Sequence, residues 1–191
     1  MKKAILGLLS AGAAASALAQ GTVIFENSSS AGNITRIDNG VSSYVGAGTY
    51  TVALLWAPGG SLGTAQANFQ QIALYGLATG GATSTGFFTD SATVTTPSTQ
   101  TPGTVGVFEV EGWTGNYTSY AAAVAGGASV RVGLSAEFLN GTGNPNPPGL
   151  PPVQTTGWDG NLIMVSPAPE PGTLALGGLG AAALLYFRRK K

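Results

Sequence analysis

Short stretches of alternating apolar and polar residues fill the middle of the chain. In TVGVFEVEGW, Phe108 and Val110 fall on one face of an extended strand and Glu109 and Glu111 on the other, because successive side chains point to opposite faces. In YTVALLW, residues 50–56, both faces are apolar, which is typical of a central strand covered on both sides. The dominant period is therefore that of strands rather than helices.

Glycine, proline, serine and asparagine separate these stretches, and such residues favour turns. Short strands joined by turns predict an all-β domain at residues 20–165, an antiparallel β-sandwich of jelly-roll-like or Ig-like type. Residues 119–125 predict one helical turn, ended by the glycines that follow, and residues 140–157 predict a long proline-rich loop. The other predicted strands are residues 22–25, 71–75, 85–89, 92–95, 129–135 and 161–165.

The first residues of the chain have the three-part order of a secretory signal. Two lysines precede an uncharged run, and Ala17 and Ala19 fill the two small-residue positions of an A-x-A cleavage site before Gln20. We therefore expect residues 1–19 to form a signal helix that a signal peptidase removes, and we expect the rest of the chain to be exported.

A second apolar run, LALGGLGAAALLYF at residues 174–187, stops at a basic cluster. With Thr173 it would form a helix of about 22 Å, shorter than the roughly 30 Å of a bilayer's hydrocarbon core. It predicts a weakly anchored transmembrane helix, with the large domain outside and the basic tail kept in the cytoplasm. The basic residues are Arg188, Arg189, Lys190 and Lys191.

Two prolines and an acid, Pro169, Glu170 and Pro171, precede this apolar run within a predicted linker at residues 166–173. The prolines keep the segment extended and unable to join a helix. The order of motif, short apolar helix and basic cluster resembles the PEP-CTERM sorting signal of Gram-negative bacteria, with Gly172 in place of the serine usual there. The resemblance implies cleavage near the motif by an exosortase, a membrane-embedded transpeptidase-like enzyme.

The same resemblance implies where the precursor and its cleaved product are located. The precursor would be anchored in the inner membrane, and the product would reach the cell surface or an extracellular matrix of exopolysaccharide or biofilm type. Residues 45–56 also resemble, loosely, a strand found in the exported domains of many small PEP-CTERM proteins, a likeness that implies no activity.

Charge and composition exclude several classes of function for the middle of the chain. Residues 20–168 keep two arginines and no lysine against seven acidic residues, so no basic surface for nucleic acid is available. The chain has no histidine and no cysteine, which excludes a Ser-His-Asp triad and thiolate metal sites. We expect no cofactor, no metal and no nucleic-acid partner.

Three sets of residues could still carry chemistry. Adjacent acids such as Glu109 and Glu111 on an outer sheet face are usually solvent contacts, although with Asp90 they would suit a glycoside hydrolase. The turns at residues 38–40 and 159–161 could bind calcium, but they are good turns on their own. The tryptophans, which could either pack in the core or stack on a sugar, are Trp56, Trp113 and Trp158.

The reading that the sequence favours is an exported surface or matrix protein, sorted and cleaved by an exosortase, whose β-sandwich has a structural role and is not an enzyme. The alternative is a carbohydrate-binding module for exopolysaccharide that uses the three tryptophans. A glycoside hydrolase is the least favoured of the three.

Overall fold

The computed structural model describes residues 20–28, 34–38, 41–64, 66–146 and 149–167. Within those ranges the chain is mostly β, with mainly antiparallel sheets, which confirms the predicted class. The strands are β1 Thr22–Glu26, β2 Ile34–Asp38, β3 Val41–Tyr44, β4 Tyr50–Ala57, β5 Gln70–Gly76, β6 Thr89–Thr95, β7 Val105–Thr114, β8 Val132–Leu134, β9 Phe138–Gly141, β10 Val153–Gln154 and β11 Leu162–Met164, and the helix is α1 Tyr120–Ala125.

The strands form three sheets. The first has the order β10-β1-β6, the second β11-β2-β3 and the third β5-β4-β7-β8, with β9 also paired to β7. Neighbouring strands are antiparallel except that β1 pairs with β10 and β2 with β11 in parallel. These two parallel pairs connect strands more than a hundred residues apart in the chain, so the end of the domain is tied to its beginning.

Strand β4 is the centre of the third sheet, between β5 and β7. All of its residues are buried, which confirms the strand predicted from two apolar faces. On its inner face Val52, Leu54 and Trp56 join a core that also takes Phe25 from the first sheet and Leu162 from the second. The three sheets therefore share one core.

The outer face of the third sheet carries a second, smaller core under helix α1. Trp113 of β7 and Val132 of β8 pack there with Ala123 of the helix. The helix begins after Ser119, whose side chain accepts a hydrogen bond from the Ala122 amide, and this hydroxyl cap satisfies a donor that the first turn leaves free. The predicted helical turn is confirmed.

A close approach of two strands joins the second and third sheets. The Val132 and Val165 backbones exchange two hydrogen bonds of 2.9 Å, which brings β11 alongside β8. A Cβ added to Gly133 would lie 2.5 Å from the Ile163 carbonyl oxygen, closer than real Cβ contacts come. Glycine is required there because the neighbouring backbone occupies the space of a side chain.

Several local predictions need correction. Strand β6 is Thr89–Thr95, which contains the strand predicted at residues 92–95. The strand predicted at residues 85–89 is wrong, because the residues before Thr89 contribute only an isolated bridge between Ser84 and Phe87. The predicted loop at residues 140–157 contains β10 and the end of β9. Strands β2, β3, β9 and β10 were not among the predicted strands, because each is short and has no clear alternation.

The predictions for the two ends of the chain concern residues that the structure does not describe. Residues 1–19 and 168–191, with the signal helix, the sorting motif and the transmembrane helix predicted for them, lie outside the described residues. Among the residues that the structure does describe, no helix is long and apolar enough to cross a membrane.

Candidate functional site

Of the residues expected to carry sorting, the structure describes only Gln20. Gln20 is half-buried and lies two residues before β1, whereas Ala17 and Ala19 fall outside the described residues. At the other edge, the described chain leaves β11 and ends at Pro167. Outside it lie the motif residues Pro169, Glu170 and Pro171 and the basic residues Arg188, Arg189, Lys190 and Lys191.

The three tryptophans lie in the protein interior. Trp56, Trp113 and Trp158 expose 1%, 0% and 3% of their surface. Each indole N–H donates a hydrogen bond inside the protein, the first to a buried glutamine side chain and the other two to backbone carbonyls. A ring buried on both faces cannot stack on a sugar, so the structure contradicts the sugar-stacking alternative for these residues.

Trp158 belongs instead to a continuous series of aromatic rings in the core. Its ring centroid lies 6.1 Å from that of Phe88 and 6.4 Å from that of Phe138. The series continues from Phe88 to Phe25 at 4.7 Å and from Phe138 to Phe108 at 5.9 Å. These rings link the first sheet to the third, which gives Trp158 a packing role.

The two glutamates of β7 are not the solvent contacts that the alternation predicted. Glu109 is only 4% exposed and Glu111 is half-buried. Leu55 of β4 lies opposite Glu109, and Ala53 of β4 and Leu134 of β8 flank Glu111. The prediction was wrong because this outer face is not bare: apolar neighbours and helix α1 cover much of it.

The burial of these acids changes their ionisation. Burial, and then the charge of Glu109, raise the pKa of Glu111 from 4.5 to about 7. Burial also raises the pKa of Glu109, against the effect of a hydrogen bond from Gln66, and the nearby Glu137 carboxylate adds to the rise. The pKa of Tyr120 on helix α1 is raised by burial and then by these two glutamates. The Glu111 carboxyl therefore stays largely protonated in the folded domain up to a pH near 7.

Glu109, Glu111 and Glu137 together make up what we call the carboxylate cluster. Glu137 is fixed by its Oε2 atom, which accepts hydrogen bonds from the amides of Gly63 at 2.6 Å and Thr64 at 3.2 Å. The Oε2 atom of Glu109 is buried without a hydrogen-bond partner. A buried oxygen without a donor is costly when it carries charge, which agrees with the raised pKa.

The acids proposed for a hydrolase line neither of two grooves on the described surface. One groove, of about 480 Å³, is lined by Thr35 and residues 42–44, and another, of about 280 Å³, lies between residues 135–138 and 157–161. Glu109, Glu111 and Asp90 line neither of them.

The structure describes one of the two turns that could bind calcium and leaves out part of the other. In one, Asp159 Oδ1 accepts a hydrogen bond of 2.9 Å from the Asn161 amide, the bond of a self-contained Asx turn. The other turn includes residues 39 and 40, which lie outside the described part of the chain. Within that part, no three acidic, histidine or cysteine side chains are grouped as a metal site would require.

Fold and sequence thus define a mostly β domain that is followed by a short proline-bearing segment, an apolar run and a basic cluster. Residues 167–190 match the sequence model of the PEP-CTERM protein-sorting motif. The chain therefore carries this motif and is an exported, exosortase-sorted protein directed to the cell envelope or surface. Neither the curated proteins nor the solved structures gave a match to it.

Proposed function

We propose that this chain is a structural component of the cell surface or of an extracellular matrix, delivered there by cleavage near its Pro-Glu-Pro motif. The observation that carries the proposal is the sorting-motif match at residues 167–190, which begins just after the last strand of the domain. The delivered part is then the β domain, residues 20–165, with the linker residues that precede the cut.

The delivered domain is proposed to be a β-sandwich. Its main core takes Val23 from the first sheet, Ile34 from the second and Val110 from the third. Side chains from three sheets in one core support two facing layers, with the first sheet packed against the other two. The aromatic rings that link the first and third sheets support the same arrangement.

A structural role suits the chemistry of the domain better than catalysis does. Residues 20–168 carry few charges and are rich in glycine, serine and threonine. The tryptophans pack in the core, and the acids of β7 are partly covered and line neither of the two grooves described above. We infer that the domain contributes cohesion through its rigid β surface and catalyses no reaction.

The proposed route has three steps. A signal peptidase cuts after Ala19, the apolar run at residues 174–187 holds the precursor in the inner membrane, and an exosortase cuts near Glu170. Because the apolar run is short, its hold on the bilayer is weak, which suits a transient anchor.

The route is tested by replacing Glu170 with alanine in the full chain. We expect Glu170→Ala to leave a full-length precursor in the membrane fraction, because the proline-flanked acid is the feature that marks the cleavage segment. Pro151→Ala is the matched control, since Pro151 is an exposed proline of the described domain, outside the sorting motif. Immunoblots of membrane, surface and medium fractions measure the outcome.

The control variant should be processed like the parent chain. Normal release of Glu170→Ala to the surface or medium would contradict the proposal. So would a block caused equally by Pro151→Ala, because that result would place the cleavage signal inside the domain.

A further inference from the structure

One exposed surface of the domain is apolar. Leu134, Ile163, Val165 and Tyr44 expose 43%, 59%, 45% and 55% of their surface. We call these four residues the outer apolar strip. Single exposed apolar residues are ordinary, whereas several on adjacent strands often mark a contact surface.

Strand register places the strip on one side of the protein. Thr35 of β2 pairs with Ile163 on one side and with Tyr44 on the other, so the three side chains share a face. The antiparallel bridge between Val132 and Val165, continued by two residues, brings Leu134 alongside Ile163. The strip therefore runs across the junction of the second and third sheets.

The side chains on the opposite face of β11 are buried in the main core. Leu162 and Met164 of β11 are 1% and 0% exposed and belong to the main core. Alternation along the strand then forces Ile163 and Val165 outward. Because the inward positions satisfy the fold, the outward apolar residues are not needed for the core.

The strip ends, in sequence, just before the sorting segment begins. The matched motif begins two residues after Val165, and the apolar run begins at Leu174. Nine extended residues span at most about 32 Å, so Val165 cannot lie farther than this from the point where the run enters a bilayer. Glu170 is closer still, within about 18 Å of Val165.

The chemistry of the strip fits the interfacial layer of a bilayer. It consists of aliphatic side chains and a tyrosine, and tyrosine is a residue that favours the membrane–water interface. The strip itself carries no charge, and the acid next to it in register, Glu111 beside Leu134, is half-buried.

We propose that the outer apolar strip rests on the lipid surface of the membrane that holds the sorting segment until the exosortase cuts. This inference rests on the membrane stage of the proposed function. The contact holds the domain against the bilayer and keeps residues 166–173 close to its surface, where a membrane-embedded enzyme can reach them. Cleavage then frees the domain, because the strip alone is too small to anchor it.

The test uses the full chain in vesicles of phosphatidylethanolamine and phosphatidylglycerol with a nitroxide-labelled lipid. The chain has no cysteine, so Ile163→Cys gives one fluorophore site in the strip. Thr93→Cys is the matched control, since Thr93 is exposed on β6 of the first sheet, away from the strip. We expect lipid nitroxide to quench the label at residue 163 several-fold more than at residue 93, and Leu134→Ser with Val165→Ser to reduce that difference.

Equal quenching at residues 163 and 93 in a vesicle-bound chain would overturn the inference and leave the sorting route intact. Failure of the chain to float with vesicles would overturn both it and the membrane stage. Concentration-dependent crosslinking of the unlabelled Ile163→Cys variant without lipid would assign the strip to a second copy, which also overturns the lipid contact. Thermal melting checks that all variants are folded.

Discussion

Replacing Trp56 with alanine is expected to lower the free energy of unfolding by about 3–5 kcal/mol, the cost typical of removing a buried aromatic ring. Trp56 is 1% exposed, lies on the central strand and packs in the main core. Its N–H also donates to Gln100 Oε1 at 3.1 Å, and Gln100 is itself buried. The substitution therefore removes apolar contacts and leaves a buried acceptor without its donor.

Urea denaturation followed by circular dichroism measures this loss. Trp56→Phe separates the two effects, because it keeps most of the apolar volume and removes the N–H, and we expect it to cost about 1–3 kcal/mol. Tyr44→Ala is the exposed aromatic control and should change stability by less than about 0.5 kcal/mol. A loss for Trp56→Ala no larger than that of the control would show that the indole is not a core residue.

Glu111→Gln is expected to stabilise the protein at pH 8 and to change little at pH 4. The pKa of Glu111 is about 7 in the folded protein against an ordinary value of 4.5, with burial as the main cause and the Glu109 charge as the second. Folding therefore favours the protonated acid. The stability that this provides is fully present below pH 4.5 and is lost as the pH rises through 7.

The expected gain at pH 8 is about 2 kcal/mol, since each unit of pKa corresponds to about 1.4 kcal/mol and solvent screens a half-exposed group. The amide also removes the charge that opposes ionisation of Glu109. The titratable groups that interact with Glu111 are Glu109 on the same strand and Tyr120 of helix α1, whereas Glu137 interacts with Glu109.

Melting temperature measured from pH 4 to pH 8 is the test. The parent chain should lose stability across the upper part of this range, and Glu111→Gln should flatten the profile there. Asp90→Asn is the charge-matched control, because it removes one negative charge from a half-buried position outside the cluster. The same flattening in the control would trace the effect to net charge rather than to the cluster.

Local pattern was enough to predict the central strands of the third sheet. Strand β4 is apolar on both faces and β7 alternates over its length, so both were recognisable from sequence. The second sheet was missed because β2 and β3 are short and polar. Its parallel pair with β11 joins residues 34–36 to residues 162–164, and no local pattern reports such a distant partner.

The surroundings of a side chain were harder to predict than its direction. Alternation correctly placed Glu109 and Glu111 on the same face, but it could not show that distant segments cover that face. Gln66, which lies near these acids, comes from a 3₁₀ turn far earlier in the sequence, and Tyr120 comes from the helix that follows β7 and folds back over it. The burial of Trp158 likewise depends on Phe88 and Phe138, which come from distant parts of the chain.

The sorting signal was predictable because its information is local. An exosortase motif is defined by the order and spacing of Pro169, Glu170 and Pro171, an apolar run and a basic cluster, all within one short segment. No long-range packing is needed to recognise it. The β domain offers no such local signature, so its role has to be argued from its surface and core.

Intact mass and terminal sequencing of the protein from the envelope and growth medium of the cells that produce it test the central claim most directly. We expect the surface and medium forms to start at Gln20 and to end near Pro169, Glu170 and Pro171. A surface or medium form that retains Lys191 would contradict exosortase processing, and the sorting segment would then be a permanent anchor.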